Sequence, residues 1–415
     1  MHVLQAILAV AVLTGIAWLC SEARRKVSLP WVLGGLLSQV LLAAVLLGIP
    51  QSVGLFLLAQ RVALALTEAT REGTRFVFGY LGGGEAPFAV EETEHLFLLA
   101  FQGLPLILVV SGLSALLFHW RILPWIVRGM AWVLRRGFSL SGPVGLGAVA
   151  GIFLGTVEAP VLVRPYLARM SRGELFALMV TGMATVSGSA VFLLATLLAE
   201  VVPNVTGHLL TASLLSVPAG LLMAGVLVPF RSATDSAGPA RLGVESRSSL
   251  DALTRGTLDG IPLVLNIVAL LLTLVALVAL GNALLGLLPH PGGEPLSLER
   301  MLGWLMAPVA WLIGIPWEEA PRAGTLLGMK IVLNELIAYL HLADLPEGAL
   351  SARSRLLLTY ALCGFANLSS VGIVIGGLGA ILPDRRPEIV ALGMKALFGG
   401  TLATLMTAAV VGPFV

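Results

Sequence analysis

Residues 363–377 read CGFANLSSVGIVIGG, and the fold turns on how this stretch is interpreted. It lies inside an apolar run, 356–382, long enough to cross a bilayer. Its middle nevertheless carries Asn367, Ser369 and Ser370, flanked by Gly364, Gly372, Gly376 and Gly377. Polar groups at that depth need partners in protein or in a water-filled cavity. A helix broken at this point and lining a site meets that need. So does a helix–helix contact, where small and hydroxylated residues also gather.

The rest of the chain decides between them. Of 415 residues, 57% are hydrophobic and only 12% charged, and the mean hydropathy is +0.96, which excludes a soluble domain of this size. The charges cluster between long apolar runs, as in a polytopic helical membrane protein. Short alternating strands are absent, which argues against an outer-membrane barrel. The net charge of +2 makes no case for nucleic acid. Cys20 and Cys363 lie in separate apolar segments and read as small apolar residues rather than a disulfide or metal site. The first apolar segment, 2–20, lacks a basic leader and is followed by Arg24, Arg25 and Lys26. It reads as a span whose far end is cytoplasmic, with the N-terminus outside.

A return span covers 31–47. Residues 50–94 are partly apolar but not a clean span, with Glu68, Glu72, Glu85, Glu91, Glu92 and Glu94 set against Arg61, Arg71 and Arg75. After an inward span at 96–118, residues 120–137 alternate Arg121, Arg128, Arg135 and Arg136 with Trp125, Ile126, Met130 and Trp132. That is an amphipathic helix for the cytoplasmic interface. Residues 143–168 form two apolar runs, each too short to span, around Gly155-Thr156-Val157-Glu158-Ala159-Pro160, with arginines at both ends. This is the pattern of a re-entrant hairpin with Glu158 at its tip; a cytoplasmic turn with a solvated Glu is the alternative. Residues 175–199 form a span interrupted by small and hydroxylated residues at 182–189, and a return span follows at 208–228.

After a long span at 258–288, the same four elements recur: a Trp-bearing amphipathic stretch at 298–314, a split apolar segment around Asn334-Glu335, the interrupted span at 356–382, and a last span at 392–411. Span counting puts the two hairpins on opposite sides, so the chain reads as an inverted repeat. The expected fold is an all-α polytopic membrane protein with about eight transmembrane helices and two opposed re-entrant hairpins. Four distant points, 156–158, 185–187, 334–335 and 367–370, then converge near the midplane. They supply two carboxylates, Asn and hydroxyls, with no evident buried Arg or Lys, a set suited to a neutral, hydroxyl-rich solute. No GxSxG, HExxH or GxxxxGK[ST] motif occurs and no enzyme constellation is expected. Glu158 or Glu335 could carry a coupling proton, and half-helix carbonyls could hold Na⁺.

From about Thr70 to the C-terminus the chain resembles the concentrative nucleoside transporter family. The likeness is carried by EGTRFVFGYLGG (72–83), VEAPVLVRPYL (157–167), ELFALMVTGMATVSGS (174–189), LNELIAYL (333–340) and ALCGFANLSSVGIVIGGLGA (361–380). The resemblance implies an inner-membrane symporter that moves nucleosides inward with Na⁺ or H⁺, binds no further cofactor and assembles as a homotrimer. It places Glu335, Asn367 and Ser370 at ribose-contacting positions, with Phe365 beside them, and Glu158 in the first-hairpin motif. There the family has Gly-Gln-Thr-Glu and this chain has Gly155-Thr156-Val157-Glu158. Base recognition at Thr156 and Val157 is therefore expected to differ. The family's Na⁺ positions fall on Gly151, Leu154, Thr185 and Val186. Gly151 replaces an Asn and removes a side-chain oxygen, which tilts the expectation towards H⁺. The implied organisation is an N-terminal scaffold at 1–118, a first repeat at 119–229, a loop and long scaffold helix at 230–297, and a second repeat at 298–415, with both termini outside the cytoplasm.

Overall fold

The computed structural model describes residues 2–48, 51–88, 98–138, 140–156, 158–229, 246–287 and 296–415. Among them the chain is helical, with no strand. Five helices are long and apolar enough to cross a membrane: Leu29–Gly48, Leu99–His119, Arg172–Leu198, Val205–Leu227 and Pro383–Phe414. The expected outer loop at 289–295, most of the loop before residue 246, and Glu91, Glu92 and Glu94 lie outside the described residues.

Two apolar helices open the chain, α1 (His2–Leu19) and α2 (Leu29–Gly48), joined by a turn through Arg24–Lys26. Residues 50–94 open with one unbroken helix, α3 (Gln51–Phe78), which is not among the five helices apolar enough to cross a membrane, in keeping with a segment that is not a clean span. Its polar residues are satisfied locally. Thr67, Thr70 and Thr74 donate to the carbonyls of Ala63, Leu66 and Arg71, and Arg71 and Arg75 pair with Glu68 and Glu72 one turn back. Such pairs add a few tenths of a kcal/mol each to a helix.

Helix α4 spans Pro105–His119. A first series follows: α5 (Ile122–Phe138), α6 (Gly142–Ala150), α7 (Glu158–Leu162), α8 (Arg164–Leu167), α9 (Arg172–Ala184), α10 (Gly188–Leu198) and α11 (Val205–Leu227). The long α12 (Ser249–Leu285) separates it from a second series: α13 (Leu298–Leu312), α14 (Ala320–Val332), α15 (Glu335–Ala343), α16 (Ala352–Leu362), α17 (Leu368–Ile381) and α18 (Arg386–Val411).

The series pack alike. The amphipathic α5 lies on α6 as α13 lies on α14; α6 folds back on α7 as α14 does on α15; α9 packs on α11 as α16 does on α18. At the centre, α9, α11 and α18 pack on one another, with α11 almost wholly buried. Close approach there needs glycine: a Cβ on Gly399 would come within 3.0 Å of Val180, and one on Gly400 within 3.0 Å of Met183. Helices α1 and α2 cover α11 and α18 from outside, and buried Gln39 on α2 donates to Thr407 Oγ1 at 3.2 Å. Opposite them, α4 and α12 form a tight pair, because a Cβ on Gly256 would lie 2.4 Å from that of Ala115.

One end of the bundle is tied by charge. Glu22, in the turn after α1, accepts from Arg172 at the start of α9 (3.0 Å) and from Lys395 on α18 (2.9 Å). Arg172 also approaches Glu388 at 3.8 Å. The Arg172 guanidinium bonded to Glu22 holds its carboxyl below the usual carboxylate range, and Lys395 adds to the effect.

Candidate functional site

Each helix pair that meets at the centre of the molecule is interrupted by residues that stop one helix and start the next. Helix α9 ends where Thr185 turns extended, and α10 starts after Ser187, whose hydroxyl pairs with that of Ser189 at 3.1 Å. Helix α16 ends at Leu362, and α17 begins only after Asn367, whose Oδ1 accepts from Ser370 N at 2.7 Å. An Asx side chain in that role is a helix N-cap, so the Asn that looked misplaced in a span is what starts the second half-helix. Asn334 does the same for α15, its Oδ1 accepting from Ile337 N at 2.9 Å, and Glu335 stands in the first turn, where a carboxylate favours the positive end of the helix.

The two breaks touch. Phe365 N donates to Thr185 O at 3.3 Å. Gly364 makes the approach possible, since a Cβ there would sit 2.8 Å from Ala184 O and 2.6 Å from Thr404 Cγ2. Of the two readings of 363–377, the broken helix is the one the structure adopts.

A cavity of about 130 Å³ opens where the breaks and helix tips converge. Leu154, Gly155 and Thr156 reach it from the α6–α7 connection, Ser187 from the first break, Asn334 and Glu335 from the tip between α14 and α15, and Phe365, Asn367, Ser369 and Ser370 from the second break. Its other wall is aliphatic: Ile107 of α4, Leu193 and Leu194 of α10, and Leu263 and Ile267 of α12. On the polar side Asn367 Nδ2 donates to Glu335 Oε2 at 2.8 Å. Glu335, Asn367 and Ser370 are 8%, 2% and 4% exposed. A carboxylate has lone pairs for further donors, and the serine hydroxyls both donate and accept. The chamber thus offers one end to a polyhydroxyl group and the other to a flat or apolar one.

Of the residues singled out in the sequence, Leu154, Thr156, Glu335, Phe365, Asn367 and Ser370 line this one cavity. Glu158 begins α7, but its side chain and all of Val157 lie outside the described residues. Gly151, Thr185 and Val186 do not line the cavity; all three are buried behind it. A Cβ on Gly151 would face Thr185 Oγ1 at 3.3 Å, and that hydroxyl donates to Thr181 O at 2.9 Å. Thr185 O takes the Phe365 amide, and Val186 O takes the Ser213 hydroxyl at 3.0 Å.

Two features escaped the sequence reading. The aliphatic wall carries no signal, because its residues look like any others in an apolar helix. The second is Lys330 on α14, which is 2% exposed but does not line the cavity, so the ligand set itself holds no Lys or Arg. A lone Lys in the run Gly328-Met329-Lys330-Ile331-Val332 was the visible sign.

Comparison with known proteins places this architecture. Three family profiles match: Na⁺ dependent nucleoside transporter C-terminus over residues 208–412, its N-terminus over 8–81, and a nucleoside recognition segment, Gate, over 100–201. The uncharacterized transporter YutK of Bacillus subtilis is 35% identical, with 100% of each chain covered. The nucleoside permease NupC of Helicobacter pylori is 35% identical over 99% of this chain and 97% of its own. Among solved structures, CNTnw in an inward-facing substrate-bound state superposes with a TM-score of 0.90 at 34% identity, covering 100% of this chain and 98% of that one. The broken helices, the shared cavity and the full-length likeness lead to one conclusion: the chain belongs to the concentrative, Na⁺ dependent nucleoside transporter family of membrane transporters, and it is not an enzyme.

Proposed function

We propose that the protein imports nucleosides across the bacterial inner membrane by cation symport, with H⁺ favoured over Na⁺ as the coupling ion. The ribose would sit against Glu335, Asn367 and Ser370, with Phe365 beside it and the base towards Thr156 and Val157. Glu158 would serve the substrate or the proton. The observation that carries the ion preference is the missing side chain at Gly151 beside Thr185. Na⁺ is a hard cation that wants several oxygen ligands. The Thr185 hydroxyl donates to Thr181 O and keeps its lone pairs, and the carbonyls of Thr185 and Val186 accept one bond each, from Phe365 and Ser213; what the set lacks is a side-chain oxygen at position 151. A second reading, Na⁺ coupling through Leu154, Thr185 and Val186, is favoured by the family's description as Na⁺ dependent. A same-fold carrier of a modified nucleoside or nucleobase is favoured by Thr156 and Val157. A homotrimer, a scaffold comprising 1–118 and α12, opposed re-entrant hairpins and external termini complete the proposal.

The test is radiolabelled uridine uptake into proteoliposomes under an inward Na⁺ gradient or an inward H⁺ gradient. Uptake driven by H⁺ alone supports the proposal. Uptake driven by Na⁺ alone overturns the ion assignment. Absence of uridine uptake in both arms, with uptake of another base or riboside, moves the substrate.

A further inference from the structure

Lys330 is the one cation buried near the cavity among the described residues that the binding scheme above does not use. Burying an ammonium within a membrane protein is costly unless its donors are matched. Its two hydrogen bonds go to neutral acceptors on two other helices: Ala361 O at 2.8 Å and Thr404 Oγ1 at 2.8 Å. Ala361 stands in the last turn of α16, where carbonyls lack an intrahelical donor and the helix presents its negative end. A charged donor makes the stronger bond there.

What lies next along each segment gives the bond its meaning. Helix α14 runs from Lys330 into the tip that carries Glu335, and α16 runs from Ala361 into the break that carries Asn367. The Lys330–Ala361 bond and the Asn367–Glu335 bond are therefore successive rungs between the same two segments. A third rung, Tyr339 OH to Thr359 O at 2.7 Å, closes the far side. We propose that Lys330 is a positioning residue of the substrate site: it clamps the end of α16 to α14 and α18 and so fixes the break from which Phe365 and Asn367 face Glu335. Its effect on binding rests on the nucleoside reading; the clamp itself does not.

Cys363 reports on the clamp directly. It is buried, follows Ala361 at the end of α16, and is one of only two cysteines, the other being exposed Cys20. In a full-length Cys20→Ser background, the rate of Cys363 labelling by N-ethylmaleimide and the Kd for uridine are measured for Lys330→Met and Thr404→Val. The expected result is labelling at least tenfold faster and uridine binding at least tenfold weaker for Lys330→Met, with smaller changes in the same direction for Thr404→Val. In an Asn367→Ala background the Lys330→Met effect on binding shrinks, because both act through one contact. Labelling within twofold of the parent in folded Lys330→Met overturns the proposal, as does a binding loss that simply multiplies with that of Asn367→Ala. Should Lys330→Met fail to fold, unchanged labelling in Thr404→Val overturns it. A parent protein that binds no uridine counts against the nucleoside reading, and the labelling rates still judge the clamp.

Discussion

Asn367 and Glu335 are joined by a hydrogen bond of 2.8 Å across the cavity, while the other end of the Asn367 amide starts helix α17. One side chain thus fixes both the position of a half-helix and the orientation of the carboxylate. Replacing Glu335 by Gln substitutes a mixed donor and acceptor for an acceptor-only group. Hydrogen bonds to charged groups contribute about 1.5–3 kcal/mol, so nucleoside affinity is expected to fall roughly 10- to 100-fold and uptake to be lost. Calorimetric titration and uptake at matched expression check this; near-normal uptake would remove Glu335 from the site.

Asn367→Ala removes the cap as well as the carboxylate's partner. The lost cap alone is expected to cost about 1 kcal/mol of stability. Asn367→Asp keeps the cap but sets two buried carboxyl groups side by side, so nucleoside binding should not recover, and thermal stability should recover only where one of the pair is protonated. Thermal melts read alongside binding separate the two duties.

Gly151→Asn supplies the side-chain oxygen that Gly151 lacks beside Thr185. Because a Cβ there meets the Thr185 hydroxyl at 3.3 Å and the carbonyl oxygens of Ala148 and Gly147 at 3.5 and 3.8 Å, the change is expected to fit after a small shift of the Thr185 side chain. The variant should show uptake stimulated by a Na⁺ gradient where the parent responds to H⁺. A variant that folds, transports and ignores Na⁺ would count against the assignment of that position.

Thr156→Gln with Val157→Thr installs the Gly-Gln-Thr-Glu pattern that the family resemblance implies for the first-hairpin motif. Competition of labelled uridine uptake by ribosides, deoxyribosides, free bases and ribose should change in its base ranking while ribose dependence stays. An unaltered profile would place base recognition elsewhere.

Glu22→Gln cuts the charge cluster between the turn after α1 and helices α9 and α18. The carboxyl is partly exposed and screened, so the cost is expected to be only about 0.5 kcal/mol at pH 7. Its folded-state value is depressed by Arg172, so the stability it contributes is present above the ordinary glutamate value of about 4.3 and is lost as pH falls through the folded value. Parent and variant melts should differ at pH 7 and converge in acid.

The sequence displays what is anomalous and hides what is ordinary. Asn334, Asn367 and the serines stand out because polar groups in an apolar run demand partners, and each proves to be a cap or a cavity wall. The recurrence of elements was legible because split segments and Trp-rich amphipathic stretches come in the same order twice. Helix α3 shows in the sequence as a partly apolar, charged stretch, and its packing against α4, α10 and α11 depends on tertiary pairing. A single Lys among apolar residues does not by itself tell surface from core; the neighbouring helices enclose Lys330. The wall contributed by α4, α10 and α12 depends on tertiary pairing, which no local pattern encodes.

The two sides of the chamber differ in how they hold on. Across the breaks, the Phe365–Thr185 bond and the backbone approach at Gly364 admit a single register, and shifting one half-helix by a residue would strip both. Along Ile107, Leu263 and Ile267 the contacts are aliphatic and have no preferred direction. A slip along that face would exchange one aliphatic contact for another of the same kind, whereas a slip at the breaks would lose specific hydrogen bonds.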